Sequence, residues 1–201
     1  MIVFELIYNL SLLVALSIVS GFLEKRYPRT KLSGIFIQGF LFGIVAIVGM
    51  MRPLVFSEGL IFDGRSVIIS LAALFFGPIS GSITGIIAII FRITQGGPGI
   101  VPGTLVVISS VIIGTIFHFH RKKNYNEVTV RLLLYLGFTV HIAMLLMMFS
   151  LPFQSAISVI QQIGIPIILS YPLATVLIGK ILSDQEVNAR NFENIKTNEE
   201  K

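Results

Sequence analysis

The chain has 201 residues, of which 54% are hydrophobic and only 12% charged, with a net charge of +5. Soluble domains carry roughly 25% charged residues, so this composition excludes a water-soluble globule and indicates a membrane protein with several apolar segments. Cysteine is absent, which excludes disulfides, thiolate nucleophiles and cysteine-based metal sites.

Seven apolar segments follow one another along the chain, and each is a candidate membrane helix. They span residues 3–23, 33–51, 64–76, 79–94, 101–119, 132–151 and 159–181. The first segment has neither a basic region before it nor a small-residue cleavage site after it, so we interpret it as a retained membrane helix. The sequence therefore predicts an all-α, polytopic membrane helix bundle with six to seven transmembrane segments.

The third and fourth segments are separated only by Gly77-Pro78. Proline breaks a helix because it lacks an N–H donor and clashes with the preceding turn. A single helix from residue 66 to residue 93 would also exceed the ~30 Å hydrocarbon core at ~1.5 Å per residue. Glycines spaced by four residues, as in the run from Gly77 through Gly81 to Gly85 and in the pair Gly99 and Gly103, predict close helix packing.

The distribution of Lys and Arg predicts the orientation of the segments. Two loops are basic, and cytoplasmic loops carry an excess of such residues. Their basic residues are Lys25, Arg26, Arg29, Lys31, Arg121, Lys122, Lys123 and Arg131. Both loops face the cytoplasm only if residues 66–93 cross the membrane twice, which places the N-terminus outside and the C-terminus inside. The positive charge is thus explained by membrane topology, and no nucleic-acid partner is predicted.

The chain becomes polar after residue 182. We therefore divide it into a transmembrane domain, residues 1–182, and a polar cytoplasmic tail or connector, residues 183–201. The tail contains helix-compatible residues but only a thin apolar stripe, formed by Val187, Phe192 and Ile195. Its composition does not distinguish a frayed tail from the first turns of a connecting helix.

Ionisable residues are rare within the apolar region, and they are predicted to gather at the outer face. Between Leu32 and His120 there are five Lys, Arg, Asp and Glu residues, namely Arg52, Glu58, Asp63, Arg65 and Arg92. Ionisable groups within hydrocarbon are costly and are kept mainly where they bind a ligand or pair with each other. This cluster is the candidate functional site.

Arg65 and Arg92 are predicted to be neighbours at the outer ends of two adjacent antiparallel helices. Two guanidinium groups in a partly desolvated depression can bind a carboxylate or phosphate, because each presents a planar fork of donors. In the alternative interpretation, Arg65 pairs with Asp63 or Glu58 while Arg92 extends to lipid headgroups. Asp63 itself could orient an arginine, pair with Arg52 or cap the third helix.

A glycine-rich loop follows Arg92 and extends the candidate site. Its Gly96, Gly97 and Gly99 are candidates for exposed backbone amides that bind an anion. The three histidines do not form a metal site, since His118 and His120 face different sides of one helix and His141 lies within another segment. We expect His141 to be hydrogen-bonded inside the bundle rather than to relay protons.

No catalytic constellation is present in the sequence. It contains no nucleotide-binding loop, no Ser/His/Asp set and no paired catalytic carboxylates, so neither an enzyme activity nor a cofactor is predicted.

Several motifs together resemble the LytS-YhcK type transmembrane receptor region. They are, in chain order, Gln38-Gly-Phe-Leu-Phe-Gly43, Met51-Arg-Pro53, Gly59-Leu-Ile-Phe-Asp-Gly-Arg65, Leu71-Ala-Ala-Leu-Phe-Phe-Gly-Pro78 and Arg92-Ile-Thr-Gln-Gly-Gly-Pro-Gly99. The resemblance covers about residues 5–182. It implies a bacterial plasma-membrane module that serves as the N-terminal input of sensor histidine kinases or diguanylate cyclases and senses extracellular cues, among them small carboxylates.

Carried onto this chain, the resemblance implies that Asp63, Arg65, Arg92 and the loop from Gly96 to Gly99 face the ligand. No output domain follows Lys201, so we expect a truncated product or a stand-alone receptor module. The Leu-Phe-Phe-Gly-Pro turn is also similar to substrate-binding components of vitamin transporters, which supplies an alternative function. Partners beyond the lipid bilayer and a small anionic ligand, namely a second copy or a cytoplasmic output domain or protein, stay open.

Overall fold

A computed structural model describes the backbone of residues 2–51, 54–57, 60–123 and 128–199, and the side chains of residues 11–51, 63–123 and 128–192. Arg52 and Glu58, which belong to the predicted outer cluster, lie outside the described residues, as does Asn124. Within the described residues the chain forms six α-helices and one short β-hairpin. The helices are α1 (Ile2–Arg26), α2 (Leu32–Met51), α3 (Arg65–Gln95), α4 (Ile100–Lys123), α5 (Val130–Met147) and α6 (Phe153–Glu199).

Five of these helices, α2 to α6, are long and apolar enough to cross a membrane. At ~1.5 Å per residue even the 20 residues of α2 reach about 30 Å, the thickness of the hydrocarbon core. Large apolar side chains are exposed along one face of each, as at Ile44, Ile90, Ile112 and Ile142. Such faces suit contact with lipid, and the predicted all-α polytopic bundle is confirmed.

A short β-hairpin connects α2 to α3 and was not predicted from the sequence. Its strands are β1 (Leu54–Ser57) and β2 (Leu60–Phe62), which pair antiparallel with Leu54 opposite Phe62. The register shifts between Val55 and Ser57. The hairpin ends one residue before Asp63 and thus places this carboxylate at the start of α3.

The helix α3 is broken in its middle and folds back on itself. Gly77 has φ 85° and ψ −178°, a backbone conformation that favours glycine because it has no Cβ atom. A Cβ atom placed on Gly81 would lie 2.6 Å from the Cβ atom of Ala73. In a continuous helix these residues would be about 12 Å apart along the axis. We call residues 65–95 the α3 hairpin, and its turn lies at the predicted Gly77-Pro78 break.

The first half of the α3 hairpin forms the centre of the bundle. Every residue from 65 to 77 is buried, and this half is only about 18 Å long at ~1.5 Å per residue. Apolar side chains of the other helices surround it, among them Phe42 of α2, Val107 of α4, Leu136 of α5 and Ile178 of α6. Because every residue of this half is buried, polar groups at its two ends are held inside the protein.

The polar segment after residue 182 continues α6 without interruption. The helix runs from Phe153 to Glu199, with Pro166 and Pro172 inside it. The predicted boundary between residues 182 and 183 therefore marks a change in composition but no break in the helix. The backbone is helical through Glu199, and the assignment of residues 183–201 as a tail or a connector stays a prediction.

Substitution of Gly81 should test the close contact inside the α3 hairpin. A Cβ atom at this position would also lie 2.9 Å from the Cα atom of Ala73, where the backbone cannot easily yield. We expect Gly81→Leu to lower the free energy of unfolding by about 1–3 kcal/mol, as overpacking typically does, and Gly81→Ala to lower it as well. Thermal unfolding of the detergent-solubilised protein would measure both changes.

The matched control is Gly164→Ala in α6, where the nearest atom would be at an ordinary 3.6 Å. This variant should have the same melting temperature as the wild-type protein. Unchanged melting of both Gly81 variants would contradict the fold-back of the two halves.

Candidate functional site

The α3 hairpin brings its two ends together and thereby places Arg65 beside Arg92. A Cβ atom built on Gly103, in the first turn of α4, would lie 3.1 Å from Nη2 of Arg65 and 3.0 Å from Nε of Arg92. The two side chains are only 6% and 1% exposed. The two arginines are therefore neighbours, as predicted, and we call them the arginine pair.

Asp63 fixes the first member of the arginine pair. Its Oδ1 accepts the backbone N–H of Arg65 at 2.9 Å, and its Oδ2 accepts Nη1 of Arg65 at 3.3 Å. The carboxylate thus accepts from a backbone amide of the first helical turn and orients the guanidinium at the same time, whereas the N-cap position of α3 is Gly64. The ion pair is buried, with 7% and 0% of the two side chains exposed.

The glycine loop holds the second member. Arg92 donates from Nε to the carbonyl oxygen of Gly99 at 3.3 Å and from Nη1 to that of Gly96 at 3.1 Å. Its Nη1 also approaches Oε1 of Gln95 at 3.5 Å. Arg92 therefore points into the protein, where it is 1% exposed, and does not extend to the membrane surface as the alternative interpretation assumed.

The loop contacts Arg92 through carbonyl oxygens, whereas the sequence suggested a role for its amides. The N–H of Gly96 is bonded to the carbonyl oxygen of Ile93 at 3.1 Å. Gly96 and Gly97 have φ values of 71° and 81°, in the region that favours glycine. These conformations turn the chain sharply enough to aim the Gly96 and Gly99 carbonyls at Arg92. Anion binding by the amides of Gly97 and Gly99 stays a prediction.

A second polar contact lies one residue deeper in the bundle. Nε2 of His141 is 3.1 Å from Oγ of Ser66, and its Nδ1 is 2.6 Å from the carbonyl oxygen of Gly137. Because a carbonyl only accepts, Nδ1 carries the proton, and in the neutral ring Nε2 accepts from the Ser66 hydroxyl. The ring of Tyr171 stacks on the imidazole at 5.0 Å between centroids. The expected internal hydrogen bonding of His141 is confirmed.

Sequence reasoning missed two residues of this site. Gly103 was interpreted only as a packing glycine, although it is the position where both guanidinium groups meet α4. Ser66 was not considered, and its only local signal is that it follows Arg65. The described residues contain no group of three His, Cys, Asp or Glu that could hold a metal ion.

The opposite end of the α3 hairpin is held by a network of charged residues. Glu186 of α6 is the common acceptor for Arg29 at 3.2 Å, for Arg121 and for Arg190. Arg29 also pairs with Glu24 at 2.7 Å and donates to the carbonyl oxygen of Phe75 at 3.2 Å. We call this region, where the α1–α2 loop, the α3 turn, the end of α4 and α6 meet, the basic end.

One more residue connects the basic end to the hairpin turn. Nδ1 of His118 is 2.8 Å from the carbonyl oxygen of Leu74, in the last turn before Gly77. The break at Gly77 leaves carbonyl groups of the first half without helical N–H donors downstream, so side chains from elsewhere in the chain donate to them. Groups from elsewhere in the chain therefore contact both ends of the α3 hairpin.

A bundle of membrane-spanning helices with a buried arginine pair defines a multi-pass membrane protein with an internal polar site. A family model described as the 5TMR of 5TMR-LYT matches residues 12–185, and the chain belongs to this family. The match confirms the resemblance to the LytS-type receptor region. The family is a transmembrane sensory module without a catalytic domain, so the chain is a membrane receptor module. No curated protein and no solved structure matches the chain.

Proposed function

We propose that this sensory module binds a small extracellular carboxylate between Arg65 and Arg92. The observation that carries the proposal is that both guanidinium groups lie next to Gly103 and are nearly inaccessible to solvent. Guanidinium groups pair with carboxylates through charge-assisted hydrogen bonds, which are roughly twice as strong as neutral hydrogen bonds.

The electrostatics of the arginine pair favour an anion. Asp63 pairs with Arg65, and the carbonyl oxygens of Gly96 and Gly99 accept hydrogen bonds from Arg92. Two like charges held close together inside a protein repel, and the repulsion is stronger than in water because the surroundings are less polarisable. An entering carboxylate would offset this repulsion.

The arginine pair is also preorganised. Asp63 holds the fork of Arg65, and the loop carbonyls hold that of Arg92. Long side chains lose rotamer freedom when they bind, so fixing them beforehand lowers the cost of association. A small ligand with few contacts can then reach useful affinity.

The α3 hairpin supplies a route for signalling. A ligand that bridges its two ends would favour one packing of the halves over another, and it can shift the equilibrium only by its difference in affinity for the two packings. The hairpin turn is linked to α6 through Arg29, which contacts both Phe75 and Glu186. We therefore propose that α6 carries the response to the cytoplasm. A second copy or an output domain stays a prediction, as does the transporter component.

Calorimetric titration would test the proposal directly. The detergent-purified protein is titrated with a panel of small mono- and dicarboxylates, and each acid is matched by its neutral amide. We expect heat of binding for at least one carboxylate and none for its amide, because only the carboxylate pairs with the two forks. Binding of an amide with equal affinity would contradict an anion site.

The sidedness of the site rests on the positive-inside rule. The basic end and the arginine pair lie at opposite ends of the α3 hairpin, so a cytoplasmic basic end places the site outside in a bacterial plasma membrane. Because the chain has no cysteine, single cysteines report without background. We expect Ser57→Cys to react with an impermeant maleimide added outside intact cells, and Asn124→Cys to react only after the membrane is opened.

The control for this labelling is Ser110→Cys. Ser110 is fully buried in α4, so its thiol should stay unlabelled under both conditions. Reaction of Ser57→Cys and Asn124→Cys from the same side would overturn the proposed orientation.

A further inference from the structure

The basic end contains a cavity that the arginine pair does not use. It has a volume of about 810 Å³ and lies between the end of α1, the α1–α2 loop, the α3 turn, the end of α4 and α6. Small-molecule sites typically enclose about 300–1,000 Å³. Its basic lining residues are Lys25, Arg29, Lys31, Arg121, Lys122 and Arg190. Against these six stand two lining carboxylates, those of Glu24 and Glu186, so the cavity carries an excess of positive charge.

Arg121 is the residue that most clearly indicates a ligand. Its side chain is 6% exposed and lines the cavity, and its Nη1 atom has no hydrogen-bond partner among the residues that the structure describes. A buried donor without an acceptor is unfavourable, and more so when it is charged. An acceptor atom supplied from the cavity would remove this cost.

Most of the carboxylate oxygens that line the cavity are already paired. Oε1 of Glu186 accepts from Arg121 and Arg190, while its Oε2 pairs with Arg29. Glu24 pairs with Arg29 through Oε1, and its Oε2 has no hydrogen-bond partner among the described residues. Three of the four oxygens are thus occupied, and the six basic side chains outnumber the acceptors that the lining supplies.

We propose that this cavity binds a phosphate group, carried by the headgroup of an anionic phospholipid or by a free phosphate compound. A phosphate offers several acceptor oxygens at once, which suits a guanidinium flanked by ammonium groups. Basic pockets between membrane helices at the membrane surface are suited to phospholipid headgroups. The bound phosphate would lie beside Phe75, Phe76 and Gly77 and would reinforce the α3 turn.

The experiment uses the full chain, delipidated in a neutral detergent. Phosphatidylglycerol, phosphatidylcholine and glycerol 1-phosphate serve as probes, and native mass spectrometry measures their binding. The first probe carries a net negative lipid headgroup, the second a zwitterionic one, and the third a phosphate monoester without acyl chains. We expect phosphatidylglycerol to bind more tightly than phosphatidylcholine.

Matched variants locate the binding. Arg121→Gln should weaken phosphatidylglycerol binding by about tenfold or more, because it removes a charge-assisted contact inside the protein. Lys31→Gln and Lys122→Gln, at exposed lining positions, should each weaken it by about twofold to fivefold. The control is Arg131→Gln, because Arg131 is an exposed residue of α5 that does not line the cavity. This variant should bind phosphatidylglycerol as tightly as the wild-type protein does.

Each result has a defined meaning. Binding of the anionic lipid alone identifies a headgroup as the source of the phosphate, and binding of glycerol 1-phosphate identifies a free phosphate compound. Binding of neither probe overturns the proposal. It is also overturned when Lys31→Gln and Lys122→Gln bind like Arg131→Gln, and these exposed variants keep the test valid even when Arg121→Gln does not fold.

Discussion

Replacing Arg65 or Arg92 with alanine is expected to weaken binding of a small carboxylate by about tenfold to a hundredfold. Each guanidinium contributes on the order of 1.5–3 kcal/mol through charge-assisted hydrogen bonds, and 1.4 kcal/mol corresponds to tenfold in affinity. Arg65→Lys and Arg92→Lys should recover only part of the loss, because an ammonium keeps the charge but lacks the planar fork. Calorimetry on the same carboxylate panel would measure all four variants.

Two controls separate binding from folding in this series. Arg131→Ala removes an exposed arginine far from the pair and should leave affinity unchanged. Because Asp63 is buried against Arg65, Arg65→Ala leaves a carboxylate without its partner, so the melting temperature of each variant is measured beside its affinity. Wild-type affinity in well-folded Arg65→Ala and Arg92→Ala would remove the pair from the site. Arg52→Ala, at a position outside the described residues, should matter less.

Loss of the Glu186 carboxylate should destabilise the basic end strongly. Glu186 and Arg121 are about 5% and 6% exposed, and three arginines converge on this one carboxylate. Removing one partner of a buried ion pair typically costs about 3–5 kcal/mol, since the other charge stays buried without compensation. We therefore expect Glu186→Ala to lower the unfolding midpoint in detergent markedly, and Glu186→Gln to recover part through its amide oxygen.

The same helix provides a matched comparison for Glu186. Asp184 pairs with Lys180 at 2.8 Å, but the two side chains are 59% and 53% exposed. Exposed pairs of this kind contribute at most about 0.5 kcal/mol to stability. The melting temperature of Asp184→Asn should therefore be close to that of the wild type. Equal destabilisation by Asp184→Asn and Glu186→Ala would show that net charge on α6, and not the buried network, controls stability.

The arginine pair could be predicted from the sequence because local signals determine it. Gly77-Pro78 forces a turn, and the apolar runs on both sides form helices of roughly known length, so the residues at their far ends must meet. Arg65 and Arg92 stand at those ends. The same reasoning identified Asp63, which immediately precedes the first of them.

The network around Glu186 could not be predicted in this way. Arg29, Arg121 and Glu186 come from three regions of the chain that no periodicity relates, and their meeting depends on how whole helices pack. The carbonyl contacts of Gly96 and Gly99 with Arg92 were missed for a similar reason. Whether a glycine loop presents amides or carbonyls depends on the φ and ψ values of each residue, which composition does not specify.

The uninterrupted course of α6 has a consequence for any protein joined to it. The helix is 47 residues long, about 70 Å, and its sequence becomes polar after residue 182. Each residue of an α-helix turns the chain by about 100°, so a partner fused after Glu199 faces a direction that depends on the number of linking residues. In a series of helical linkers lengthened one residue at a time, coupling between ligand and output should rise and fall with a period of about 3.6 residues.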